Sequence, residues 1–177
     1  MDPASSVYFR KYGEPSRTAE FVSRGGSRIQ IFKWTEDQTG EGVTMYATAG
    51  ASETLGDGTQ SCEFFVGLTP AVDEVAEALA EIALRGIGST AVPSPGDTTT
   101  LSFPLWPGTR MQSMLFTDGS ELIPSYTDAT KRIDFIQLVP LFDSELDFKK
   151  KYGEKALWEK FESTKVPYWN SNRAPAL

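Results

Sequence analysis

One amphipathic helical segment among several strand-like segments is the feature that most constrains the fold. Thr69 and Pro70 have the residue types favoured at a helix N-cap and first helical position, and Arg85-Gly86 suits a helix end. The apolar stripe between them has helical spacing and consists of Val72, Val75, Ala76, Leu79, Ala80, Ile82 and Ala83. Because such a stripe must be buried, the sequence predicts a central helix packed on a sheet.

Segments rich in β-branched and aromatic residues lie on both sides of this helix. They predict six strands, over Ser27–Trp34, Val43–Ala49, Cys62–Leu68, Thr98–Phe103, Met111–Thr117 and Ile133–Leu141. Two helical segments follow, to about Tyr152 and over Glu154–Glu162, and Ser144 with Asp147 resembles a capping box. The predicted fold class is α+β, with a mixed, mainly antiparallel sheet of about six strands, one central helix and a C-terminal helical pair.

The same pattern divides the chain into three parts. Residues 1–26 are rich in Ser, Gly and Arg without clean periodicity, which indicates a loosely ordered lead-in with at most a short strand or helical turn near Val7–Tyr12. Residues 27–162 form the predicted domain. Residues 163–177 are polar and contain proline, which is typical of a C-terminal tail.

The chain contains no histidine and one cysteine. This composition excludes Ser-His-Asp and Cys-His catalysis, histidine-ligated zinc and an internal disulfide. Cys62 lies in an apolar strand and is interpreted as a small core residue. Gly50–Thr54 is close to a nucleophile elbow but lacks the last glycine, so we interpret it as a turn in which Ser52 bonds local backbone. No cofactor and no metal site are expected.

Charge is unevenly distributed along the chain. Residues 34–147 hold four Lys/Arg against eighteen Asp/Glu, whereas the segments before and after them carry net charges of +3 and +4. An acidic middle repels phosphates and attracts basic proteins, so we predict a basic protein partner and no nucleic acid. The candidate contacts are acidic residues in loops, with one tryptophan as an apolar anchor: Glu36, Asp37, Glu41, Glu53, Asp57, Asp118, Glu121 and Trp106.

No apolar run reaches the length needed to cross a bilayer, and the first residues lack the apolar core of a signal peptide, so we expect a cytoplasmic protein without membrane contact. Two other functions stay open at this stage. A sheet edge could hold a peptide of a partner by strand addition. Paired carboxylates could support a hydrolase, which would need two acids in one cleft and a raised pKa.

Several segments together resemble the suppressor-of-fused domain family. They are Tyr46–Ser52 (YATAGAS), Glu63–Leu68 (EFFVGL), Met114–Phe116 after Phe103-Pro104, Leu138–Leu146 (LVPLFDSEL) and Lys151–Trp158 (KYGEKALW). The resemblance spans about Ser27 to Glu162 and implies a non-enzymatic binding domain. Animal members bind and restrain a transcription factor through a peptide and carry an additional C-terminal domain. Short stand-alone members are typical of bacteria and resemble immunity proteins, which implies a partner that is a cognate toxin.

Overall fold

A computed structural model describes residues 1–177 and shows five α-helices and eight strands. In chain order the elements are α1 (Pro3–Tyr12), β1 (Arg17–Val22), β2 (Arg28–Trp34), α2 (Glu36–Thr39), β3 (Thr44–Ala49), a 3-10 turn (Ala51–Glu53), β4 (Gln60–Leu68), α3 (Val75–Arg85), β5 (Thr98–Thr100), β6 (Ser113–Asp118), β7 (Tyr126–Thr127), β8 (Arg132–Leu141), α4 (Asp143–Tyr152) and α5 (Glu154–Ser163). None of the helices is both long and apolar enough to span a membrane.

All strands belong to one sheet with the order β1-β2-β3-β4-β8-β6-β5, and β7 pairs with β8 outside this path. The β4–β8 pair is parallel and every other pair is antiparallel. The predicted fold class is therefore confirmed, including the mixed sheet and the C-terminal helical pair. The sheet has two more strands than the six predicted, because β1 and the two-residue β7 carry only weak sequence signals.

Strand β8 shows how the sheet is covered on both faces. Its even-numbered residues Ile136 and Leu138 belong to the core beneath α3. Its odd-numbered residues face the other side, where Phe135 packs with α1 and Leu141 packs with α5. Side chains alternate along a strand, so helices on both faces favour apolar residues at successive positions of such a strand. The same arrangement explains why every residue of β3 is buried.

The central helix starts later than predicted. Thr69 and Pro70 do not cap it; α3 begins at Val75, and the Thr69-Pro70 peptide bond is cis. The Thr69 N–H instead donates to the Trp169 carbonyl at 3.0 Å, and the Thr69 carbonyl accepts from the Ser171 N–H at 3.1 Å. The end of the chain thus adds a short parallel bridge after β4. The backbone groups of Thr69 pair with this tail and not with a helix.

Residues 1–26 differ from the predicted loose lead-in, because they contain α1 and β1. The Asp2 carboxylate accepts a hydrogen bond from the Ser5 N–H at 2.9 Å, and Pro3 occupies the start of the helix. Tyr8 is fully buried and packs edge-on against Phe135 with ring centroids 5.1 Å apart. This segment is ordered because its aromatic residues are buried against the sheet. A helix of ten residues is too short for its apolar periodicity to predict that burial.

One further expectation, the capping box of α4, is corrected near the C terminus. The first turn of α4 is closed by Glu145, whose Oε2 accepts from the Phe142 N–H at 2.9 Å, and not by Ser144 with Asp147. Residues 163–177, the predicted tail, pack against the domain, and Ser171 and Arg173 are buried. The tail runs along α4, α5 and the end of β4, where tertiary hydrogen bonds hold it.

Candidate functional site

The acidic residues predicted as partner contacts lie at two ends of the sheet. Because β3 and β4 are antiparallel, the segment before β3 and the segment between β3 and β4 lie at opposite ends of that pair. Glu36, Asp37 and Glu41 belong to the first segment, and Glu53 and Asp57 to the second. The structure therefore does not gather the predicted residues on one surface.

Asp57 and Asp118 do come together. Both line a cavity of about 510 Å³ at the end of the sheet where β4 and β8 begin and β6 ends. Asp134 and Arg132 of β8 line the same cavity, and residues 90–95 of the long connection after α3 form another part of its wall. The sequence analysis missed Asp134 and Arg132, since a charged residue in a strand gives no sign of which strand ends will meet.

Asp57 is held by the turn that leads into β4. Its Oδ1 accepts hydrogen bonds from the Thr59 N–H at 2.8 Å, the Thr59 hydroxyl at 2.7 Å and the Gln60 N–H at 2.8 Å. These bonds, chiefly that from the Gln60 N–H, lower the pKa of Asp57 to about 2. The carboxylate is thus fixed in position and ionised at neutral pH.

The other two carboxylates are ionised as well. The Asp118 carboxylate accepts from the Ser120 N–H at 2.8 Å, which lowers its pKa. Partial burial of Asp134 opposes its ionisation, but three hydrogen bonds outweigh this effect and lower the pKa of Asp134. They come from Ser125 at 2.6 Å, Arg132 at 2.7 Å and Gln60 at 3.2 Å. With three ionised aspartates against one arginine, the cavity has a net charge of −2 and suits a cationic group.

The only carboxyl group whose pKa is raised lies away from this cavity, in the interior. Burial raises the pKa of Glu63 to about 7. Its oxygens accept from Thr48 Oγ1 at 2.6 Å, Ser52 Oγ at 2.6 Å and the Ser52 N–H at 2.9 Å, among others. Glu63 is fully buried and anchors the turn after β3, so it cannot reach a substrate. The Ser52 hydroxyl therefore bonds a glutamate across the turn and not, as the sequence predicts, the local backbone.

None of the three aspartates in the cavity has the raised pKa that the general acid of a hydrolase needs. A general acid must hold its proton near neutral pH, whereas the pKa of each of these aspartates is lowered. No group of three acidic or cysteine side chains lies close enough together to hold a metal ion. The geometry thus favours binding of a positively charged group.

The remaining predicted contacts are placed as follows. Trp106, predicted as an apolar anchor, is 6% exposed and packs in the core beneath α3. Glu41 lies 3.7 Å from the Lys11 ammonium of α1. The same ammonium donates to the Leu122 carbonyl, and the neighbouring Glu121 is exposed. Glu36, Asp37 and Glu53 are exposed. For all of these, a role in partner binding stays a prediction.

A free sheet edge is the second surface feature of interest. Strand β1 lies at one end of the strand order and pairs only with β2. The Ser23 N–H bonds the Ser27 carbonyl at the hairpin, so by alternation Phe21 and Ala19 bond β2, while the backbone groups of Val22, Glu20 and Thr18 point outward. This edge is open to an added strand.

Comparisons with known proteins identify the fold and the family. The family model described as suppressor of fused protein (SUFU) matches residues 25–174. A search of curated proteins finds no significant match. A crystal structure of a SUFU homologue from Neisseria gonorrhoeae has 19% identity and a TM-score of 0.73, over 98% of this chain and 94% of the other.

Two further structures share the fold. A Sufu–Fu complex matches with 15% identity and a TM-score of 0.69, over 97% of this chain and 89% of the other. Drosophila Suppressor of Fused matches with 15% identity and a TM-score of 0.69, over 99% of this chain but 54% of the Drosophila chain. At these identities the structures show a shared fold, while the family model covers most of the sequence.

Proposed function

The chain belongs to the suppressor of fused family, and from that membership we propose that it acts by binding another protein. A structure with the same fold is a complex of Sufu with Fu, which supports a protein partner. The observation that carries the proposal is the acidic cavity, in which Asp57, Asp118 and Asp134 are held ionised by their own hydrogen bonds. Fixed charges need no rearrangement on binding, so they favour rapid association with a basic partner.

The more specific proposal is that this partner is a toxin and that the chain is its cytoplasmic immunity protein. Neutralising a toxin requires tight binding and no turnover, which a fixed acidic surface can supply. The net charge of −7 and the lowered pKa values of the cavity aspartates support capture of a basic domain, such as that of a nuclease.

Affinity purification followed by co-expression tests both the general proposal of a protein partner and the specific proposal of a toxin. The native chain is affinity-purified from its own cells, the stoichiometric partner is identified by mass spectrometry, and the purified pair is reconstituted. A protein partner supports the general proposal, and loss of the partner's toxicity on co-expression supports the specific one. Absence of any stoichiometric protein would contradict the general proposal, and a non-toxic partner would contradict the immunity role alone.

The free edge of β1 favours a second candidate, a regulatory scaffold that holds a partner peptide by strand addition. Thr18, Glu20 and Val22 present unpaired backbone groups there, and Val22 is 56% exposed. A short peptide would bind this edge alone, whereas an immunity protein would need the folded toxin. Binding of the isolated partner peptide, measured by calorimetry, therefore distinguishes the two candidates.

A further inference from the structure

A cluster of three aromatic side chains lies beside the acidic cavity; Trp158 and Tyr168 also pack on the core around Leu157, whereas Trp169 does not. Trp158 of α5 contacts Tyr168 at a centroid distance of 5.5 Å with an interplanar angle of 80°, and Tyr168 contacts Trp169 at 5.0 Å and 81°. Trp169 is 42% exposed, the largest exposure of any tryptophan in the chain. Successive perpendicular rings form the corners with which aromatic sites bind organic cations.

The backbone that carries Trp169 and the ring of Trp158 are held in place before any ligand arrives. The backbone of Trp169 is fixed because its carbonyl accepts from the Thr69 N–H at 3.0 Å. The Trp158 indole N–H donates to Glu154 Oε1 at 3.3 Å. A rigid aromatic surface loses little conformational entropy on binding, which makes it an effective contact.

The aromatic cluster and the acidic cavity are adjacent. Trp158, Tyr168 and Trp169 line a second cavity of about 610 Å³, and Pro95, Thr117 and Asp118 line both this cavity and the acidic one. Charged residues along the combined groove are five acids (Asp57, Asp118, Asp134, Glu154 and Glu162) and two bases (Arg132 and Lys165), a net charge of −3. The groove therefore combines exposed aromatic surface with negative charge along its length.

We propose that this groove binds an extended basic segment of the partner protein. A lysine or arginine side chain of that segment lies on the Trp158–Tyr168–Trp169 surface, and another enters the cavity of Asp57, Asp118 and Asp134. The alkyl part of such a side chain packs on the rings while its charge interacts with the ring faces and nearby carboxylates. This inference rests on the proposed function and adds the chemical class of the segment recognised.

The test uses a synthetic peptide, acetyl-Gly-Lys-Gly-Lys-Gly-Arg-Gly-amide, titrated into the full chain at low salt. Trp169→Ala is expected to weaken binding about three- to tenfold, as loss of a cation–π contact does, and Trp169→Tyr to restore most of it. Asp118→Asn should weaken binding, whereas Glu14→Gln, an equal charge change at an exposed residue at the other end of the sheet, should leave it unchanged. A peptide with acetylated lysines should bind more weakly than the charged peptide.

Several outcomes would overturn this inference. They are equal peptide affinity in the native chain and Trp169→Ala, no measurable peptide binding, or sedimentation showing that a second copy of this chain occupies the groove. Each leaves the proposed function intact if the whole partner still binds. Failure of the whole partner to bind any folded form would instead overturn the proposed function itself. Because the Trp169 side chain is partly exposed, thermal melting of the two Trp169 variants is expected to match that of the native chain.

Discussion

Arg173 and Glu145 form a buried ion pair that ties the end of the chain to the first turn of α4. Arg173 Nη1 lies 2.6 Å from Glu145 Oε1, and Arg173 Nη2 lies 2.7 Å from Glu145 Oε2. The two side chains are 2% and 0% exposed. The same carboxylate accepts from the Phe142 N–H at the helix start and from the Ala176 N–H in the tail. One glutamate thus closes a helix turn and fixes the tail that carries Trp169.

Breaking this pair on one side should strongly destabilise the protein. Arg173→Met leaves Glu145 buried without its counter-charge, a loss of roughly 3–5 kcal/mol in the free energy of unfolding. Urea denaturation followed by circular dichroism measures the change. The matched control is Lys155→Met, which breaks the exposed Lys155–Glu159 pair and should cost about 0.5 kcal/mol or less. A loss below about 1 kcal/mol for Arg173→Met would contradict the structure.

Glu63 should make stability fall as pH rises from about 4.5 to 7. Its pKa is about 7 in the folded protein against 4.5 as the ordinary value, so the folded state binds the proton more tightly. The stabilisation from the protonated form is complete below pH 4.5 and lost as pH passes through 7, on the order of 3 kcal/mol. The chain has no histidine, so few other groups titrate in this range.

Urea denaturation at intervals between pH 4.5 and 8 measures this slope. Glu63→Gln cannot ionise, so its free energy of unfolding should be nearly constant with pH. At pH 5 this free energy should be lower than that of the native chain, because the substitution removes a hydrogen-bond acceptor. Aspartates with lowered pKa values act in the opposite sense and below about pH 4, outside the range measured. A native chain whose stability rises between pH 5 and 7 would show that Glu63 is already ionised when folded.

Charge reversal at the two ends of the sheet should have different effects on partner binding. Asp57→Lys with Asp118→Lys places two positive charges in the acidic cavity, and the association rate should fall at least tenfold with a weaker dependence on salt. Glu36→Lys with Asp37→Lys changes the net charge equally at the other end. Stopped-flow association with the reconstituted partner compares the two. Equal slowing in both variants would mean that net charge, and not the cavity, attracts the partner.

Proline substitutions in β1 test the strand-addition candidate. Glu20→Pro removes an outward N–H and should change the free energy of unfolding by about 1 kcal/mol or less, yet prevent a peptide from pairing with this edge. Ala19→Pro removes an inward N–H that bonds β2 and should destabilise the fold by about 3 kcal/mol. Calorimetric titration measures the affinity of the partner peptide for each variant. Unchanged peptide affinity in Glu20→Pro would exclude this edge as the binding site.

Local pattern was enough to predict elements that have a long, regular signal. The strands ending at Trp34, Ala49 and Leu68 and the end of the central helix at Arg85 lie where the sequence places them, because burial imposes a period of two on strands and 3.6 on helices. Shorter capped elements were missed although their signals are present. Asp2-Pro3 begins α1, and Thr35 with Gln38 forms the capping box of α2, which was predicted as a loop.

The sequence by itself determined the fold class and the acidic character of the chain, because periodicity and composition depend only on the order and types of the residues. The family was indicated by the resemblance of several segments taken together. Tertiary structure alone decided which carboxylates meet. Asp57 and Asp134 are far apart in sequence and share a cavity only because β4 and β8 are parallel neighbours, so their starts lie at the same end of the sheet. It also decided that Thr69 pairs with the tail instead of capping a helix, since a backbone group bonds whichever partner the folded chain brings to it.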